Sequence, residues 1–156
     1  RVYEAFSEST EITTMLGQAS VLGHQGPVGQ SPTLIATAKH FIGDGSTDFG
    51  VEGGNTTLSE EEVFERLLPP YRAAVEAGVG SVMASFNTLN GVPMHAHRKM
   101  ITDVLKGQLK FDGIVVSDWK AYSRFGGNDV INAGVDVVMA VEGDFNMEWS
   151  HLTRKN

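Results

Sequence analysis

Four short runs dominated by β-branched and small apolar residues punctuate the chain. They are Leu34 to Phe41, Val79 to Phe86, Gly113 to Ser117 and Val135 to Val141. Apolar runs without strict alternation predict strands covered on both faces, as in a parallel sheet. Helical segments lie between them. Ser59 is placed to cap a helix, and Glu62 completes a capping box with it. This helix is expected to run to about Ala77, with Gly78 as its stop. Pro69-Pro70 inside it predicts a kink or a break into two pieces. Further helices are expected from Glu11 to Leu22, from about Lys99 to Lys110, and near Asn128 to Ala133 before Gly134.

The order is helix, then strand and helix three times, then strand. Such alternation implies an α/β fold with a parallel sheet. About four βα units are present, whereas a full eight-fold barrel takes roughly 250 residues. The pattern leaves two readings, a compact doubly wound domain or a piece of a barrel. The longest stretch without periodicity is Gly43 to Thr57, directly after the first predicted strand. Long loops at strand ends are often functional. This one lacks the spacing of a phosphate-binding glycine loop.

Polar residues close three of the apolar runs: Lys39-His40, Ser85-Phe86-Asn87 and Ser117-Asp118-Trp119. In a parallel sheet these ends converge on one rim, where α/β enzymes build their sites. A carboxylate at the end of a buried strand is costly to hold without a function. By its chemistry Asp118 can serve as nucleophile, base or metal ligand. Lys39 offers a point charge with three donors, and His40 can donate and accept. Trp119 offers a flat apolar wall beside the acid. Consecutive strand residues point to opposite faces, so Lys39 and His40 share a pocket only where the backbone departs from regular strand. A bulge, a cis peptide or an abrupt bend is therefore expected there. Met83 and Phe86 read as core. His95-Ala96-His97 offers two imidazoles in a loop, and loop hydrogen bonding is the expected role over metal binding.

The 156 residues are 41% hydrophobic and 20% charged, a globular composition long enough to bury a core. A net charge of −7 disfavours nucleic acid and anionic membrane surfaces as partners. No apolar stretch approaches the roughly 20 residues of a membrane span. With no cysteine there is neither a disulfide nor a thiolate metal site, and the compartment stays open.

Several segments, in order, resemble glycoside hydrolase family 3, best known for β-glucosidases and exo-β-glucan glucohydrolases. They are residues 1 to 8 (RVYEAFSE), 38 to 45 (AKHFIGDG) and 81 to 87 (SVMASFN), followed by Asn90-Gly91 and Met94-His95-Ala96. The last are 109 to 119 (LKFDGIVVSDW) and Ala133 to Asp136. The resemblance covers residues 1 to about 141. It implies that the chain is the later part of a (β/α)8 TIM-type barrel domain, with residues 142 to 156 a boundary or poorly ordered tail.

By that resemblance Asp118 is the catalytic nucleophile. Arg1, Lys39 and His40 hydrogen-bond the non-reducing-end sugar, Trp119 walls the slot, and Met83 lines it. The implied reaction is retaining hydrolysis of terminal β-D-glucosyl residues from β-glucosides or β-glucans, with no cofactor and no metal. The acid/base belongs to a following domain in the glucosidase branch. In the aminosugar branch it is a His in the loop after Lys-His-Phe. The loop here has no His, which favours the glucosidase branch. Phe86 stands where many relatives carry a Tyr, and an expected upstream sugar-gripping Asp lies outside this chain. The expected partners are the sugar and the remainder of the enzyme's own chain. Two alternatives are a metal-dependent hydrolase using His95, His97 and Asp118, and a non-catalytic sugar-binding module.

Overall fold

The computed structural model describes residues 4–30 and 34–140. The first helix, Thr10–Gln25, starts at Ser9, whose hydroxyl accepts from the Ile12 N–H. It ends at Gly26, at a φ of 81°. Strands β1 (Thr37–Phe41), β3 (Ser81–Ala84) and β6 (Ile114–Val116) form a parallel sheet in the order β1-β3-β6. A second, small sheet joins β2 (Asn55–Thr56), β4 (Thr88–Leu89) and β5 (Val92–Pro93) in the order β2-β4-β5. Its strands belong to the connections that follow β1 and β3.

Three of the expected strands form, each shorter than its apolar run. The fourth does not: Val135 to Ala140 contributes a single bridge, Val116 to Val137. Val141 lies outside the described residues. The apolar run there reflects burial of Val135 in the core rather than pairing along a ladder.

The helix at 60–76 begins with the expected capping box. The Ser59 hydroxyl accepts from the Glu62 N–H, and the Glu62 carboxylate accepts from the Ser59 N–H. The Pro69-Pro70 pair does not break it. Instead Val63–Leu67 is π-helical, and the Leu68 N–H donates to the Val63 carbonyl. The prolines then fall in the first turn of Leu68–Glu76, where a missing N–H costs least. The Arg66 carbonyl accepts from the Thr10 hydroxyl at 2.9 Å, which ties this helix to the first. Gly78, at a φ of 79°, is the stop.

The core lies between the sheet and the helices. Phe41, Val82, Ala84 and Val115 come from strands. Leu68 and Ala74 come from the second helix, and Met100, Ile101, Val104 and Leu105 from the helix Lys99–Gln108. The Gln25 amide fixes the far end of the sheet. It donates to the Gly78 carbonyl and accepts from the Ala36 and Gly80 N–H groups, all at 2.7–2.9 Å. Among the described residues no helix is long and apolar enough to cross a membrane.

Gly113, just before β6, meets the sheet backbone closely. A Cβ there would stand 2.5 Å from the Gly80 carbonyl oxygen and 2.7 Å from the Phe111 ring. Gly113→Ala is expected to cost about 1–3 kcal/mol, the usual penalty of overpacking. Gly17→Ala, in the first helix with no atom near the added methyl, is expected to gain about 0.5–1 kcal/mol. Urea denaturation midpoints of the two variants check both signs.

Candidate active site

The site is built where β1, β3 and β6 end. β1 departs from regular pairing there. Ala38 faces Val82 and Phe41 faces Ala84, so the register slips by one residue between them. The Lys39–His40 peptide bond within that slip is cis. This is the departure that the neighbouring Lys39 and His40 required. His40 turns inward, with its side chain 14% exposed. Its Nε2 stands 3.7 Å from an Asp118 carboxylate oxygen, and its Nδ1 3.9 Å from an Asp44 oxygen. Lys39 is exposed, and among the described residues the basic side chain set beside the Asp118 carboxylate is His40.

Asp118 follows β6 by two residues. Its side chain is 19% exposed, and one oxygen accepts from the Trp119 N–H at 2.6 Å. The backbone around it is fixed on every side. The Ser117 N–H donates to the Val137 carbonyl at 2.8 Å. The buried Ser117 hydroxyl donates to the Asp118 carbonyl at 2.9 Å and accepts from the Met139 N–H at 2.8 Å. The Asp118 N–H donates to His95 Nε2 at 2.9 Å. Trp119 is 53% exposed, with the Lys120 ammonium 4.6 Å from its ring centre. Met83 is half-buried and pairs in register with Val116, two residues before the acid. Arg1 lies outside the described residues.

Sequence reasoning left His95 to loop hydrogen bonding without a partner. The structure gives it one. His95 is fully buried, stacked on Phe125 with ring centres 5.4 Å apart and planes 10° apart. Phe86 packs against both rings. Because Nε2 accepts from the Asp118 N–H, the neutral ring carries its proton on Nδ1. Nδ1 faces the Ser85 carbonyl without closing a full hydrogen bond. Burial pushes the imidazole down to about 4, against the opposing pull of Asp118. The one hint in the sequence is a histidine set between apolar Met94 and Ala96.

The metal alternative fails on geometry. His95 Nε2 is occupied by a peptide N–H, and His97 lines a surface cavity with Glu60, Leu89 and Lys99. Among the described residues, the three ligand-type side chains that converge are Glu4, His40 and Asp44.

The loop 43–57 is ordered by one acid. Asp48 accepts from the Thr57 hydroxyl and N–H and from the Asn55 amide. These bonds hold its carboxyl below the usual range. At the loop's root the Asn87 amide donates to the Ile42 and Thr88 carbonyls and the Thr56 hydroxyl.

Comparison with known proteins shows the family. The model of the glycosyl hydrolase family 3 N terminal domain matches residues 1–152. The chain belongs to glycoside hydrolase family 3. It is 42% identical over 123 residues to a β-xylosidase of Formosa agariphila, covering 76% of this chain and 17% of that protein. The crystal structure of an exo-1,3/1,4-β-glucanase from a Pseudoalteromonas species superposes with a TM-score of 0.85 at 45% identity, over 89% of this chain and 19% of that one. A Listeria innocua β-glucosidase in complex with isofagomine gives 0.84 at 31% identity, over 98% of this chain and 24% of that one. The chain spans about a fifth or less of the curated relatives it matches. The α/β layering with a parallel sheet is that of the family's N-terminal domain.

A family 3 domain with a neutral, buried His95 loses stability in acid. The unfolded chain takes up a proton near pH 6.5, whereas the folded one resists until about 4. Between those values the unfolded state binds more protons, so stability rises with pH. The fall from pH 6.5 to 4 amounts to about 3 kcal/mol from this group. Denaturant titrations across that window check it, and His95→Gln is expected to flatten this part of the slope.

Proposed function

We propose that this chain carries the nucleophile and much of the sugar site of a retaining β-glucosidase-type glycoside hydrolase. The observation that carries the reading is Asp118 beside His40, both mostly buried, at the common rim of three parallel strands. Asp118 attacks the anomeric carbon of a terminal β-glucosyl unit. The bond to the leaving oxygen breaks, and a glycosyl-Asp ester forms. The oxygen takes a proton from a general acid. Water then attacks the anomeric carbon of the ester, gives up its proton to the same group, and frees Asp118. Arg1, Lys39 and His40 hold sugar hydroxyls, Met83 lines the slot, and Trp119 walls its entrance. Exposed Lys39 and Trp119 suit groups that contact a ligand entering from solvent.

The same reading makes residues 1–141 the later part of a TIM-type barrel and 142–156 a boundary segment. The remainder of the enzyme's chain completes the barrel and supplies the acid/base. Such a mechanism needs a second carboxyl about 5–5.5 Å from the first. On this reading, removing that acid is expected to slow hydrolysis of unactivated β-glucosides about 10²–10⁴-fold.

The β-xylosidases among the relatives favour a second donor sugar, a pentose lacking the exocyclic CH₂OH. Parallel kcat/KM measurements on aryl β-glucoside and aryl β-xyloside separate the two. A sugar-binding module without chemistry is the remaining alternative, and it predicts no covalent adduct. In the full-length enzyme, Asp118→Asn is expected to lower kcat by about 10³-fold or more. Incubation with an activated 2-deoxy-2-fluoro-β-glucoside followed by peptide mass spectrometry is expected to find the sugar on Asp118. Label on another carboxylate removes Asp118 from the role.

A further inference from the structure

The peptide N–H of Asp118 lies beyond the end of β6, where the sheet no longer offers it a carbonyl. β3 ends at Ala84, and the last paired residues are Met83 and Val116. A buried N–H without an acceptor costs about 1–3 kcal/mol, and the local chain would turn to find one. His95 supplies it, from a different segment of the chain, at 2.9 Å.

We propose that His95 is a positioning residue for the nucleophile, its unprotonated Nε2 holding the Asp118 peptide N–H and so fixing the turn on which the carboxylate stands. The proposal rests on Asp118 being the nucleophile. Three observations distinguish this from a histidine that merely fills space. First, the ring is fully buried and, among the described residues, its one closed hydrogen bond is to Asp118. A hydrocarbon of similar bulk would fill the same volume without burying polar nitrogens. Second, the ring plane is set from outside. Phe125 stacks on it, Phe86 packs at its side, and the Arg124 guanidinium covers both phenyl rings at 5.3–5.4 Å. The nitrogen therefore stays aimed at the peptide. Third, the acceptor is uncharged. A carboxylate in its place would set a second negative charge beside Asp118 and resist ionisation of the nucleophile. A neutral imidazole holds the backbone without that repulsion. Among the described residues, the charged or titratable groups around the ring are Asp118 from the β6 end, His40 from the β1 end and Arg124 from the helix Ala121–Arg124.

The test compares His95→Phe and His95→Gln with the parent in the full-length enzyme. Phe keeps ring bulk and the stack but accepts nothing. The Gln side-chain oxygen reaches the place of Nε2 and accepts the N–H. The readouts are the rate at which an activated 2-deoxy-2-fluoro-β-glucoside labels Asp118, and the inhibition constant of glucose. His95→Phe is expected to slow labelling about 10- to 100-fold, while His95→Gln stays within about threefold and glucose binding moves less than about threefold in both. If Phe abolishes the folding transition, His95→Met takes its place. If neither folds, a Gln variant slowed more than about tenfold overturns the proposal. Label on Asp118 with Phe and Gln equally fast, or equally slow, overturns the role of His95 and leaves the nucleophile assignment standing. Label on a different carboxylate overturns both.

Discussion

A strand that ends in the interior must hand each backbone polar group to a new partner, and the site depends on how this chain does so after β6. Ser117 N–H goes to Val137, Ser117 Oγ bridges Asp118 carbonyl and Met139 N–H, Asp118 N–H goes to His95, and Trp119 N–H goes to the Asp118 carboxylate. The first of these bonds belongs to the single bridge between Val116 and Val137, and the others lie off any ladder. The chain can therefore leave the sheet within two residues while its backbone stays satisfied. That sharp exit sets the acid at the rim instead of burying it in a continued strand. Removing one of the partly buried partners leaves a donor or acceptor to be satisfied by movement, and the movement is transmitted to the carboxylate.

The end of β1 solves the same problem differently. There the register slips by one residue, which lets Lys39 and His40 leave the strict alternation of a strand. Beyond them, the chain enters a loop that needs its own framework. Asp48 at one end and Asn87 at the other supply it, and the short β2-β4 pairing closes it. A long loop tied at both ends by side-chain hydrogen bonds can hold a residue such as Asp44 near His40 with little help from apolar packing. Glycine is required at one place here. Gly43 sits at a φ of 104°, and a Cβ would stand 2.9 Å from the Asn87 amide.

Much of this was legible from residue pattern. Apolar runs located β1, β3 and β6 because strands buried on both faces have few polar positions to confuse them. The capping box at Ser59 and Glu62 and the stops at Gly78 and Gly134 follow local rules, and the structure obeys them. The neighbouring Lys39 and His40 demanded a backbone irregularity, and one is present. What escaped was non-local. The fourth strand looked like its predecessors, yet a ladder needs a continuing neighbour, and after Val116 there is none among the described residues. The π-helical segment before Pro69 depends on how one turn accommodates two missing donors, which composition does not encode. The two-residue strands of the small sheet are too short to leave a period. His95 was visible as a candidate but its partner was not, because a hydrogen bond to a peptide N–H 23 positions away leaves no trace in side-chain spacing.

The two histidines near Asp118 show how burial divides one side-chain chemistry between two tasks. His40 is a rim group. Each of its nitrogens faces a carboxylate, Asp44 on one side and Asp118 on the other, at 3.9 and 3.7 Å. Those distances are longer than hydrogen bonds, so the ring has an orientation but retains the capacity to take a closer partner. That suits a group meeting a hydroxyl between itself and the acid. His95 has the opposite character. It is sealed by aromatic rings, engaged at normal hydrogen-bond length, and kept neutral by burial. Fully buried, it is out of reach of a ligand. One imidazole is thus available to the sugar and the other to the backbone, and exchanging their environments would fail at both places. A sealed ring cannot reach substrate, and a ring at the rim, without the aromatic stack, would not be held aimed at the peptide N–H.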